Sequence, residues 1–183
     1  MKEIRVPRAP ANIALPIIMQ WDGSPAPLGA HASANLSCTD AGLRIRASAL
    51  HQTPARIPPL PAGRCDGLWE YDVVEIFLAG EDGTYVEIEL GAGGHWLVFG
   101  FSGIRVRSNE HPDLPLDVAH RSSKDGWEST VTIPWDILPK TIARLNAFAI
   151  LGGLHLAHHP VPGTTPDFHQ PAHYPRAHLE GAH

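Results

Sequence analysis

A chain of 183 residues, 43% hydrophobic and 18% charged, has the balance of one globular domain. A net charge of −5 without a long basic run excludes a surface built to neutralise nucleic-acid phosphates. No run approaches the roughly 20 apolar residues of a membrane span, so neither nucleic acid nor membrane is an expected partner.

Residues 1–28 read as an N-terminal arm packing on a single domain over residues 29–183. The opening "MKEIRVPRAPANIALPIIM" is interrupted by prolines and has no apolar stretch fit for a secretory signal, so a cytoplasmic address is expected. Cys38 and Cys65 match no metal or redox spacing and are expected as free thiols. "HASANLSC" and "GLRIRASAL", joined by "TDAG", form a hairpin. A proline-rich loop, "HQTPARIPPLPAGRCDG", follows, where proline blocks helix and ladder alike. "DVVEIFL" and "TYVEIEL" make the next hairpin about "GEDG". "GAGG" then turns the chain into "HWLVFGF", and "SG" turns it into "IRVRS". "LDVAHRSS" and "WESTVTIPW" pair about "KDG", "PWDILPKTIARL" holds one short helix, and "NAFAILGGLHL" is the last strand. Eight or nine short strands with at most one or two short helices make an all-β, antiparallel β-sandwich.

The central hairpin carries an unusual charge pattern. Period-two alternation puts Asp72, Val74, Ile76 and Leu78 on one face and Val73, Glu75 and Phe77 on the other. Val86, Ile88 and Leu90 alternate with Glu87 and Glu89 in the partner strand, so Glu75, Glu87 and Glu89 are expected to share a partly solvated sheet face. Arg44, Arg46, Arg105 and Arg107 also alternate outward, and acid–base pairs across strands would contribute roughly 0.2–1 kcal/mol each. Such a face is either a wall of ion pairs or the floor of a polar site.

"LWEYDVVEIFLAGEDGTYVEIELGAGGHW" resembles the signature hairpin of family 9 carbohydrate-binding modules and the related DOMON-like domains: an acidic residue, "vEiF", a loop, then "Y-x-E-i-e" and a glycine-rich turn. "GWESTVTIPWDIL" and "DFHQPAHYPRAHL" resemble later parts of the same pattern, and the likeness covers about residues 30 to 180. The resemblance implies an antiparallel β-sandwich that binds without catalysis. Its carbohydrate-binding members stack a sugar between tryptophans while charged side chains hold the hydroxyls. DOMON relatives bind sugar or haem, and secreted members often carry calcium.

The resulting reading is non-catalytic binding of a small polar ligand, with a saccharide as first candidate. Its ligand-binding residues are Trp69 as stacking platform, Trp96 as a second aromatic, Asp72, Glu75, Glu87 and Arg105 as polar contacts, and His169 and His173 as donors from the closing stretch. Trp127 and Trp135 are expected in the core. No cofactor is expected. Haem lacks an obvious methionine ligand, with only Met1 and Met19 in the chain, and "EYD" with "GEDG" offers calcium too few oxygens. No metal site is expected at the histidines, because His155 and His158 fall on opposite strand faces. Two alternatives stay open: an interaction module that meets a protein through its sheet face, and a small hydrolase or lyase using the acidic face with His169 or His173.

Overall fold

The structure is a computed structural model that describes residues 3–50 and 55–181. The first four residues of the proline-rich loop, 51–54, lie outside the described residues. The strands are β1 (Ile4–Val6), β2 (Ile13–Ile17), β3 (Met19–Gln20), β4 (Ala32–Thr39), β5 (Gly42–Leu50), β6 (Val73–Gly80) and β7 (Tyr85–Gly91). They continue as β8 (Trp96–Gly103), β9 (Val106–Asn109), β10 (Ala119–Ser122), β11 (Gly126–Pro134), β12 (Ile142–Leu151), β13 (Leu154–Ala157) and β14 (Ala177–Leu179). Helix is confined, among the described residues, to three single turns of 3₁₀ type at Leu68–Glu70, Trp135–Ile137 and Pro171–His173.

Two antiparallel sheets stack face to face, ordered β10-β11-β5-β4-β2 and β3-β13-β12-β6-β7-β8-β9, and β1 pairs in parallel with β14 beside them. The fold is therefore an all-β sandwich. The segment read as an arm is woven into it, since β2 closes one sheet, β3 edges the other and β1 holds β14. The expected helix in "PWDILPKTIARL" shrinks to one turn, because the chain from Ile142 is already committed to β12 and its ladder with β6. "NAFAILGGLHL" splits into β12 and β13 at Gly152 and Gly153, whose φ angles of 57° and 86° suit a residue without a Cβ.

Alternation divides each central strand between two apolar clusters. Val74, Ile76, Leu78, Val86, Ile88, Leu90, Trp96 and Val98 fill the space between the sheets. Val73, Phe77, Tyr85, Leu97, Phe99, Phe101, Phe148 and Ile150 point from the seven-stranded sheet the other way and form a second cluster. That second face is covered by the chain from His158 to Arg176, which acts as a strap. Asn146 on β12 fastens it at one end, donating from Nδ2 to the His159 carbonyl (2.9 Å) and accepting the His159 N–H (3.1 Å). Arg144 fastens the other end through the Tyr174 carbonyl at 2.8 Å. Phe168 stacks on Phe148 with ring centres 4.2 Å apart, and the Tyr174 hydroxyl donates to the Phe168 carbonyl. The strap turns the expected solvated acidic face into a buried one. Cys38 and Cys65 are both buried free thiols.

Candidate functional site

Between the strap and the seven-stranded sheet lies a cavity of about 360 Å³. Glu75 from β6, Glu87 from β7 and Phe101 from β8 supply its floor, and Ile150 and His155 border it from β12 and β13. Asp167, Phe168 and His169 of the strap form the opposite wall, with Trp69, Arg105 and Arg107 at the mouth.

Register explains the carboxyl cluster. Glu75 faces Glu89 across the β6–β7 ladder, and Glu87 stands opposite Phe77, so all three carboxyls share the face beneath the strap. Their surroundings are aromatic and aliphatic, and the alternative of a wall of ion pairs, with Arg44 or Arg105 against Glu75 and Glu87, is not what forms. Arg44 lies on β5 in the other sheet, where Arg46 pairs with Glu128 at 3.8 Å. Arg105 binds Asp167 at 2.7 Å, and Arg107 binds Glu110 at 3.4 Å. Oε1 of Glu75 and both carboxyl oxygens of Glu89 are buried with no hydrogen-bond partner.

Burying an unpaired carboxylate favours its protonated form. Burial pushes Glu75 well above the ordinary carboxylate range, with Glu87 adding to the effect. Glu89 rises for the same first reason, reinforced by Glu75 and Glu87 and opposed by Arg107. Glu87 is pushed by burial up to about 7 against the pull of Arg107 and Arg105.

His169 is held by a short relay. Arg105 adopts φ 58°, a left-handed conformation uncommon for a residue with a side chain. Its backbone N–H donates to the Tyr85 hydroxyl at 2.9 Å. That oxygen in turn lies 2.9 Å from His169 Nδ1. The arrangement that uses every proton has Tyr85 donating to Nδ1, which leaves the imidazole proton on Nε2. Nε2 faces Glu87 Oε1 at 3.9 Å. Burial lowers the His169 pKa to about 4, with Arg105 contributing, so the ring is neutral and this contact is not an ion pair. Tyr85 also stacks on Phe101 with ring centres 4.4 Å apart, and burial raises its own pKa to about 12.

Trp69 sits in the turn that precedes β6 and remains 39% exposed at the cavity mouth. Its ring centre is 6.3 Å from that of Phe99, and the Arg107 guanidinium lies 3.9 Å over Phe99 and 5.7 Å from Trp69. The structure thus gathers Trp69, Glu75, Glu87, Arg105 and His169 around one cavity.

Three expected residues lie elsewhere. Trp96 pairs with Leu90, and this register turns its ring into the space between the sheets. Its neighbour Leu97 takes the position facing the carboxyls. Asp72 is buried, and its Oδ1 accepts the Gly152 N–H at 2.8 Å, tying the start of β6 to the β12–β13 turn. His173 is exposed on the last single turn and borders no part of the cavity. Trp127 is core, as expected, while Trp135 packs at the core's edge with its Nε1 donating to the Thr39 carbonyl at 3.1 Å. Phe101, Arg107, His155, Asp167 and Phe168 were not anticipated. "HWLVFGF" held one usable signal, since its alternation sets Leu97, Phe99 and Phe101 on the face of Glu87 and Glu89. In the aperiodic strap the resemblance of "DFHQPAHYPRAHL" to the family pattern pointed to His169 but gave no sign of Asp167 or Phe168.

No family model matches the chain. A mouse protein, UPF0462 protein C4orf33 homolog, is 32% identical over 162 residues, which is 82% of this chain and 83% of the mouse protein. The chain belongs to the UPF0462 family. The rat UPF0462 homolog is 33% identical over 150 residues, covering 74% of this chain and 73% of its own. The human UPF0462 protein C4orf33 is 34% identical over 129 residues, so the chain spans 64% of that relative.

Solved structures place the UPF0462 chain in a known fold. A candidate carbohydrate-binding protein from Bacteroides uniformis superposes with a TM-score of 0.75 at 16% identity over 98% of each chain. A family 9 carbohydrate-binding module from Caldicellulosiruptor kristjanssonii in complex with cellotriose gives 0.65 at 13% identity, covering 98% of this chain and 94% of the module. The glucose complex of a family 9 module from the same organism gives 0.63 at 14% identity over 98% of this chain and 96% of that one. At these identities the likeness establishes the fold, which is that of family 9 modules.

Proposed function

We propose that this UPF0462 chain binds a small saccharide, without catalysis, in the cavity between the strap and the seven-stranded sheet. The observation that carries the reading is the pairing of a half-exposed Trp69 ring at the mouth with the buried, unpartnered Glu75 oxygen at the floor. A sugar needs both features: an aromatic surface for its C–H face and convergent polar groups for its hydroxyls. Protonated carboxyls suit hydroxyl ligands because each both donates and accepts. A volume of about 360 Å³ fits one or two sugar rings, near the lower end of ligand pockets, which run to roughly 300–1,000 Å³. The glucose and cellotriose complexes of the structural neighbours support the ligand class.

Calorimetric titration with glucose and cellobiose tests the reading. Trp69→Ala is expected to weaken binding about tenfold, since an aromatic contact of this kind contributes ~0.5–1.5 kcal/mol beyond the area it covers. Circular dichroism should show the variant folded, because Trp69 lies outside both apolar clusters. Equal affinity of variant and parent would remove Trp69 from the site, and no heat from either sugar at millimolar concentration would reject the saccharide reading.

A further inference from the structure

We propose that the ligand of this cavity is an amino sugar, or a similarly hydroxylated primary amine, whose ammonium seats against Glu75 and Glu87; the inference rests on the saccharide reading and narrows it. The charged groups around the cavity do not match one another. Both arginines at the mouth already have acidic partners, Arg105 in Asp167 at 2.7 Å and Arg107 in Glu110 at 3.4 Å. Asp167 is further occupied by the His169 N–H at 3.0 Å.

Glu75 and Glu87 have no lysine or arginine within ion-pair distance among the described residues. The imidazole beside Glu87 is engaged with Tyr85 through Nδ1. Glu75 has Phe148 opposite it on one side and Glu89 on the other, neither able to supply a cation. Beyond the longer-range pull of Arg105 and Arg107 on Glu87, the cavity therefore holds two carboxyls with no cation in contact, and an ammonium seated there would take the place of the proton that burial keeps on them.

A neutral sugar hydroxyl can bond the two carboxyls only while they stay protonated, because it brings no charge to let them ionise side by side. An ammonium brings three donors and a full positive charge, enough to bond both carboxyls at once. The walls agree with that choice. Phe101 and Phe168 border the same space, and aromatic faces attract a cation within about 6 Å of the ring centre. The sugar's remaining hydroxyls would then meet His169 Nε2–H and the arginines at the mouth.

The test compares glucosamine, N-acetylglucosamine and glucose by calorimetry near neutral pH, on the full chain and on Glu75→Gln. Glucosamine is expected to bind at least ~10-fold more tightly than glucose, in line with a charge-assisted hydrogen bond replacing a neutral one. Acetylation, which removes the charge, should erase the gain. Glu75→Gln, close in shape to a protonated glutamate, should abolish the preference for glucosamine over glucose, whatever it does to the affinity for glucose itself. Thermal melting of the variant checks that it is folded, and Glu87→Gln gives an independent second reading of the same loss. Equal binding of glucose and glucosamine would overturn the amine assignment and leave saccharide binding standing. Silence from all three sugars would overturn both.

Discussion

Glu89→Gln is expected to raise the midpoint of thermal unfolding under alkaline conditions and to leave it almost unchanged below about pH 4.5. Glu89 is fully buried, with both carboxyl oxygens unpartnered, and burial lifts its pKa well above 4.5, as the neighbouring Glu75 and Glu87 also do. A carboxyl whose pKa is higher in the folded protein than in the unfolded chain favours folding while it is protonated in both states. That contribution is complete below about 4.5 and drains away as pH rises through the folded value. Glutamine removes the drain, because it never ionises.

Glu87 sets the scale. A rise from 4.5 to about 7 corresponds to something on the order of 3 kcal/mol at about 1.4 kcal/mol per unit. In a domain of this size each kcal/mol moves the midpoint by ~2–4 °C. His169 acts in the opposite sense. Its pKa falls from 6.5 to about 4, so its contribution is present above 6.5 and lost as pH falls toward 4. Its slope opposes that of Glu87 across the acidic range, which leaves the alkaline side to report the carboxyls. Differential scanning calorimetry of parent and variant across pH gives the result directly. A midpoint difference that stays constant from acid to alkali would show that Glu89 is not held protonated by the fold.

This stability behaviour could not be read from the sequence, though the register behind it could. The alternation of Val86, Ile88 and Leu90 against Glu87 and Glu89 is strict enough to assign faces, and pairing across "GEDG" brings Glu75 onto the same face. The burial of that face depends on the strap, and "HHPVPGTTPDFHQPAHYPR" has no period from which a covering segment could be inferred. The hint lay in β6 itself, where Val73 and Phe77 are as apolar as Val74 and Ile76. A strand apolar on both faces is covered on both. Trp96 was misplaced by one position, and a slip of one residue exchanges the faces of a strand. His173 was drawn to the site because the family resemblance sets the closing stretch beside the central hairpin, but the turn at Pro171–His173 redirects the chain toward β14 and leaves the imidazole outside.

Phe77→Ala is expected to cost about 3–5 kcal/mol, the range for deleting a buried aromatic ring, and to loosen the strap before the sandwich. Phe77 is fully buried at the centre of the second cluster. Its ring meets Phe148 edge-on at 5.6 Å, Tyr174 at 5.9 Å, Tyr85 at 6.3 Å and His169 at 5.5 Å. Two of these partners belong to the strap and two to the sheet, so the ring is the apolar link between them. Deleting it leaves the inter-sheet cluster intact, because Ile76 and Leu78 point the other way. Hydrogen exchange should therefore speed up in residues 158–176 far more than in β4 and β5, and urea unfolding should measure the total loss. Phe77→Leu, which keeps most of the volume, should recover most of both. Because the strap carries Phe168 and His169 to the carboxyls, the alanine variant should also lose the ligand. Exchange that accelerates evenly over both sheets would mean that strap and sandwich open as one unit, and the cavity would then owe its shape to the whole fold rather than to this single ring.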